Sequence, residues 1–191
     1  MKNIQNSHFF SAQCIQQVEK DMIESNIKWR YMTAHDLDLV YDLLYRKESV
    51  YDEFLELQIL PENCWSKDDI CEYLKQKKTR GIVIERLTPF QEKHNDKIEW
   101  FDIFCGFILY EVTETTYQID YLLGEDQQSY EKLIDAIINK AENSIKIQNI
   151  TINVEETNNY LMKILFSLKF KSKLIRKPQK DYYQFELIIK K

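Results

Sequence analysis

The chain has 191 residues, enough for one domain with a sizeable hydrophobic core and at the edge of carrying a terminal extension as well. Its 26 basic against 31 acidic residues give a net charge of −5, which argues against non-specific nucleic-acid binding through a basic surface. No apolar run approaches a membrane span, and Cys14, Cys64, Cys71 and Cys105 have neither a Cys-x-x-Cys pattern nor a pairing with histidines, so reduced cytoplasmic thiols are the expectation and no metal is implied.

In chain order, residues 1–26 carry Phe9, Phe10, Cys14, Ile15, Val18 and Met22 at roughly helical spacing, which predicts an amphipathic extension packing on the domain. Its polar face lacks the Lys/Arg enrichment that a lipid-surface helix favours. Trp29 to Met32 is β-compatible. Thr33 and Asp36 then form a capping-box pattern that opens a helix with Leu37, Val40, Tyr41 and Leu44 on one face, leaving His35 in a solvated first turn. Glu53 to Ile59 is apolar-periodic up to Pro61. Ser66 and Asp69 repeat the capping box, opening a helix with Ile70, Tyr73 and Leu74 inside and Lys75, Lys77 and Lys78 in its last turn.

Gly81 to Glu85 reads as a strand, and Thr88 to Lys97, polar and containing Pro89, as a loop. Ile103 to Val112 reads as a buried strand, where Gly106 marks a bulge or a close backbone approach. Tyr117, Ile119, Tyr121 and Leu123 alternate with Gln118, Asp120 and Leu122, the pattern of a strand with one buried face. After Gly124 a helix from Gln127 to Ile145 buries Leu133, Ile134, Ile137, Ile138, Ala141 and Ile145. Ile150 to Glu155 is the next strand, and Asn158 or Thr157 caps a helix striped by Leu161, Ile164, Leu165 and Leu168. Leu174 to Arg176 and Tyr182 to Ile189, joined around Pro178, make a closing hairpin.

The stretch from Thr116 to Asn158 is a βαβα unit, and a strand running into a helix N-terminus is an anion site, because unpaired N–H groups and the positive end of the helix dipole converge there. A cofactor is expected at that place. With three glycines in the whole chain, no glycine loop is there to cradle it.

The element order β-α-α-β-β-β-α-β-α-β-β resembles that of the GNAT family of N-acetyltransferases, and local stretches resemble its ribosomal-protein-alanine (RimI-like) branch. The similar stretches are Trp29-Arg30-Tyr31-Met32-Thr33 with Asp36-Leu37, Cys64-Trp65-Ser66 with Asp68-Asp69-Ile70, Gly81 to Glu85, Cys105 to Glu111, and Val154-Glu155-Glu156-Thr157-Asn158. The resemblance implies an α/β (α+β) fold over residues 27–191: a central mixed, mostly antiparallel sheet with splayed fourth and fifth strands and flanking helices. It also implies an N-acetyltransferase that takes acetyl-CoA as cosubstrate and an amine acceptor, a peptide N-terminus or a small amine, with neither nucleic acid nor membrane as partner. By position, Leu122, Leu123, Gln127, Gln128, Ser129, Tyr130 and Asn158 would line the cofactor.

The departures lie at the chemistry. Where the family carries Arg/Gln-x-x-Gly-x-Gly/Ala, this chain has Gly124-Glu125-Asp126-Gln127-Gln128-Ser129-Tyr130, shorter, without glycine at the approach to the phosphates and with two acids beside them. The branch's fifth-strand glutamate falls on Asn153 and its acidic tyrosine on Leu165, neither of which transfers protons. Glu155 shares the parity of Asn153 and is the replacement base that can be named, against an exposed salt-bridging glutamate; Tyr121 and Tyr160 are candidate proton donors, against simple packing. Two further readings stand beside the enzyme: a GNAT-fold interaction protein that has lost acetyl-CoA, and a cysteine-dependent acyltransferase without a readable histidine partner.

Overall fold

The computed structural model describes residues 26–49, 66–91, 98–176 and 181–190. The expected extension over residues 1–26, the Glu53 to Ile59 segment, Trp65 and Pro178 lie outside the described residues, apart from Asn26 itself. Strand β1 (Ile27–Tyr31) leads through a 3-10 turn (Ala34–Asp36) into helix α1 (Leu37–Ser49), followed by α2 (Lys67–Lys75). Strands β2 (Thr79–Gln91), β3 (Ile98–Val112) and β4 (Thr116–Gly124) come next, then α3 (Gln127–Glu142), β5 (Asn149–Glu155), α4 (Asn159–Ser167), β6 (Lys171–Ile175) and β7 (Tyr182–Ile188). This is the expected order.

The strands form one sheet in the order β1-β2-β3-β4-β5-β7-β6. Only β4 and β5 run parallel, since α3 carries the chain back across the sheet between them, and every other neighbour is antiparallel. Helices α3 and α4 cover one face, where Leu133, Ile134, Ile137, Leu161, Ile164 and Leu165 pack on Ile82, Ile84, Ile150, Ile152 and Val154. Helices α1 and α2 cover part of the other, where Val40, Leu43, Leu44 and Ile70 pack on Val83, Phe107, Leu109, Tyr121 and Leu123. At full burial each of these side chains contributes about 1.5–3 kcal/mol, so the two layers hold the fold from both sides.

Both capping boxes form. Asp69 accepts from the Ser66 amide at 2.7 Å while its own amide reaches Ser66 Oγ at 3.2 Å. Asp36 accepts from the Thr33 amide at 2.7 Å, but the turn it closes is 3-10 before α1 begins. Asp36 is also buried, and Arg30 grips it bidentately at 2.8 and 2.6 Å while reaching Glu85 at 2.6 Å, tying β1, β2 and the turn together. Helix α2 ends at Lys75, so Lys77 and Lys78 lie in the turn beyond it.

Four expectations are corrected. Thr88 to Gln91 is not loop but strand, paired with Ile98 to Phe101. Pro89 is tolerated because Leu87, two residues earlier, donates its N–H toward β1, to Asn26. The missing N–H of Pro89 therefore falls on the same side, beyond the end of β1, where no ladder requires it. Helix α3 stops at Glu142, so Ile145 is 93% exposed and Ile147 enters the core instead. The sixth strand begins earlier, at Lys171. The fourth correction concerns β4, whose burial is not a simple alternation: Tyr121 through Gly124 are all buried.

The reason is a bulge. Leu109 pairs with Tyr121 and Tyr110 with Ile119, which leaves Asp120 as an extra residue on β4. Before it, Tyr117 and Ile119 face the α3 layer; after it, Leu122 takes that side, while Tyr121 and Leu123 turn to the α2 layer. A second bulge leaves Cys105 extra on β3, next to Gly106. A Cβ on Gly106 would lie 2.8 Å from the Leu123 carbonyl oxygen, so both expected roles of that glycine, bulge and close approach, occur within one residue of each other.

Candidate functional site

The β4–β5 ladder runs only from Thr116 and Asn149 to Ile119 and Ile152, while β4 continues to Gly124 and β5 to Glu155. The two strands form a fork whose root is at Asp120. Of the residues expected here, Leu122 is buried in the α3 layer, and Leu123 and Tyr121 in the α2 layer. The Tyr121 ring stacks on Phe107 with centroids 5.2 Å apart and planes 17° from parallel, so packing accounts for its position. On β5, Asn153 and Glu155 alternate with the buried Ile152 and Val154 and so face the α2 side. Leu165 is fully buried in the α3 layer, which explains an alkyl side chain there.

Beside the fork lies the N-terminus of α3, and its first turn is already occupied by an anion of the chain's own. Asp126 is the N-cap: one carboxylate oxygen accepts from the Ser129 amide at 2.8 Å and from its hydroxyl at 2.7 Å. The other pairs with Arg86 at 2.7 Å. Burial alone would raise the Asp126 carboxyl, but Arg86 and Ser129 hold it below its ordinary value. One of the two acids expected beside the phosphates is thus neutralised by an arginine that the sequence reading overlooked. The signal was present: Arg86 continues the parity of Ile82 and Ile84, which points it to the α3 side.

Of the remaining candidates, Ser129 and Tyr130 are buried, and Gly124 packs against both so closely that a Cβ there would lie 2.9 Å from the Tyr130 ring. Gln127 is spent on Glu131, at 2.8 Å. Gln128 is half-buried. Tyr160, on the first turn of α4, sits edge-on to Tyr130 at 6.3 Å, and burial together with the charges of Glu131 and Asp126 raises its pKa, keeping it protonated. Asn158 caps α4 through a 3.0 Å bond from the Leu161 amide, and its own amide donates to the Glu155 carbonyl. The structure therefore gathers Gln127, Gln128, Ser129, Tyr130 and Tyr160 at one place and leaves Glu155, Asn158 and Tyr121 along the fork.

Another polar group there escaped the sequence reading. Asp120, taken as one solvated position of an alternating strand, accepts from the Tyr73 hydroxyl of α2 at 2.6 Å and from Gln118 Nε2 at 2.9 Å. Cys105 lies under the α3 N-terminus, but it is fully buried, donates weakly to the Ile84 carbonyl at 3.6 Å, and burial pushes its thiol up to about 11. That environment suits no thiolate nucleophile. Among the described residues, no group of three His, Cys, Asp or Glu side chains converges as a metal site, and no helix is long and apolar enough to cross a membrane.

The arrangement fits an anion at the α3 N-terminus and an extended chain in the fork. Asp126 itself occupies that seat, with Arg86 as its cation.

No family model and no curated protein matches the sequence. Solved structures match its fold. A spermidine N-acetyltransferase from Vibrio cholerae in complex with CoA and spermine is similar over 86% of this chain and 96% of its own, with a TM-score of 0.60 at 12% identity. Ard1 from Thermoplasma volcanium is similar over 87% and 99%, with a TM-score of 0.60 at 11% identity. The ribosomal-protein-S18-alanine N-acetyltransferase from Escherichia coli is similar over 86% and 95%, with a TM-score of 0.59 at 12% identity. At these identities the likeness is one of fold, and the chain has the mixed-sheet fold of these three proteins.

Proposed function

We propose that the chain is an acetyl-CoA-dependent N-acetyltransferase acting on a primary amine, with residues 27–191 as the catalytic domain and residues 1–26 as an extension. The observation that carries this reading is the β4–β5 fork, with its bulge at Asp120, set beside an arginine-backed anion seat at the start of α3. Acetyl-CoA would supply the activated acetyl group as a thioester. Arg86 and the first-turn amides of α3 would hold its phosphates, and the β4 edge at Leu122 and Leu123, past the last β5 pair, would align its extended arm. Glu155, at the end of β5, and Asn158, the cap of α4, border the fork, and Tyr160 stands as a protonated donor near the seat. For the acceptor, a peptide N-terminus as in the RimI-like branch is the finer expectation, and a polyamine the other, since neighbours of both kinds share the fold. With Cys71 and Cys105 as free thiols, the cytoplasm is the compartment we assign.

A second reading has one observation in its favour: the anion seat is closed by Asp126, as suits a fold that has given up its cofactor and serves as an interaction protein. Thermal unfolding of the purified chain with and without acetyl-CoA separates the two. Ligand at a hundred times its dissociation constant stabilises the folded state by about 2.7 kcal/mol, a shift of several degrees. We expect a concentration-dependent rise of the midpoint. No rise at millimolar acetyl-CoA, in the wild type or in Asp126→Asn, would sink the acetyltransferase reading and leave the interaction protein.

A further inference from the structure

Asp120 is the extra residue of the β4 bulge and the first residue of β4 beyond its ladder with β5, so it stands at the root of the fork. It points to the α2 side, where Tyr73 donates to one carboxylate oxygen at 2.6 Å and Gln118 to the other at 2.9 Å. Both donors are neutral. Two other carboxylates withdrawn from water are treated differently: the buried Asp36 is gripped by Arg30 and the half-buried Asp126 by Arg86. Asp120 has no Lys or Arg partner among the described residues, and its other charged or polar neighbours on this face are Glu111, which also acts on Tyr73, and by strand parity Asn153 and Glu155 of β5. A carboxylate partly withdrawn from water and given no cation is left with uncompensated charge, and two bonds leave about half of its lone-pair sites open.

We propose that Asp120 receives the acceptor ammonium at the fork and takes its proton, with Tyr73 and Gln118 as positioning residues; this rests on the acetyl-transfer reading above. One N–H bond of the ammonium breaks and one O–H bond forms on Asp120. The charges of both partners are cancelled, the nitrogen lone pair is freed for attack, and the carboxyl later returns the proton to water. Tyr73 cannot take the proton itself. Burial and then the Asp120 charge raise its pKa, so it remains a donor that fixes the carboxylate. The bulge matters because it sets Asp120 beside Tyr121 on one face, which a regular strand would not do. The plainer role for this cluster is a tie between α2 and the sheet, and an amide at position 120 would serve that equally well.

The test uses the full chain with putrescine and a peptide bearing an N-terminal alanine as acceptors, comparing the wild type with Asp120→Asn and Tyr73→Phe. For Asp120→Asn we expect an unchanged melting midpoint, acetyl-CoA affinity within about twofold by calorimetry, weaker amine binding, and a loss in kcat/KM of about 100- to 10,000-fold. That loss should shrink as pH rises toward the acceptor's own pKa, about 8 for the peptide N-terminus and about 10 for putrescine, where solvent removes the proton instead. Tyr73→Phe should lower kcat about tenfold without altering the KM for acetyl-CoA, a split that a purely structural tie would not produce. Asp120→Asn with normal amine binding and turnover overturns the inference and leaves acetyl transfer standing. An Asp120→Asn loss that does not shrink as pH rises overturns the proton transfer and leaves Asp120 as a group that only binds the amine. Amine binding that depends on Asp120 in a chain that ignores acetyl-CoA overturns acetyl transfer and keeps Asp120 as an amine site, and a chain that binds neither overturns both.

Discussion

Gly106 shows how tightly the fork is built. Its φ is not positive, so backbone freedom is not the reason for glycine; space is. A Cβ would meet the Leu123 carbonyl oxygen at 2.8 Å and the Gly124 Cα at 3.1 Å, both backbone atoms of β4 that can yield only by moving the strand. Gly106→Ala is therefore expected to cost about 1–3 kcal/mol, read as a lower urea midpoint with an unchanged m-value. A change below about 0.5 kcal/mol would mean that β4 shifts freely against β3. Gly81 is also closed by space, since a Cβ there would meet the Met32 Cβ at 2.8 Å, an atom that moves only with the backbone.

The first turn of α3 does two things at once. Asp126 satisfies a helix amide that would otherwise be orphaned, and it neutralises Arg86. Two substitutions separate these roles. Asp126→Asn keeps an oxygen for the Ser129 amide and removes the charge, so Arg86 is freed toward an incoming phosphate. A like charge a few Å from a phosphate at the surface costs on the order of 1–4 kcal/mol, and release should tighten acetyl-CoA binding about tenfold. Asp126→Ala also loses the cap, and should lower stability by about 1 kcal/mol. Calorimetry on both, beside their melting curves, checks the pair: equal acetyl-CoA affinity in wild type and Asp126→Asn would show that Asp126 does not compete for the seat.

Across the whole molecule, carboxylates held by arginine set the acid limb of stability. Asp36 and Asp126 both have folded pKa values below their ordinary value: burial opposes the shift in each, but Arg30 with Thr33, and Arg86 with Ser129, outweigh it. A depressed carboxyl binds its proton first in the unfolded state, so its contribution is present above about pH 4 and is lost as pH falls through the lower folded value. Asp135 has the opposite sign, raised by burial, and offsets part of that slope. Urea unfolding followed from pH 7 to pH 2 should show stability falling below about pH 4, with Asp36→Asn both less stable at neutral pH and flatter across that range. If Asp36→Asn has the wild-type slope, the Arg30 grip is not what the acid limb reports.

Much of this was legible in the chain because it depends on neighbours along the backbone. The order of elements, both capping boxes, the cap at Asn158 and the buried stripes of α3 and α4 follow from periodicity and from side chains bonding three residues away. What tertiary structure decided lies where distant strands meet. The bulge at Asp120 is a mismatch between β3 and β4, invisible in the alternation of β4 alone, and it moves Tyr121 and Leu123 to the α2 layer. Residues 86 and 126, or 73 and 120, are paired by sheet register and by the packing of α2, each separated by at least 40 positions in sequence. Hydrophobic pattern sets which face a residue takes, but the cation that a carboxylate meets there is chosen only when the sheet is assembled.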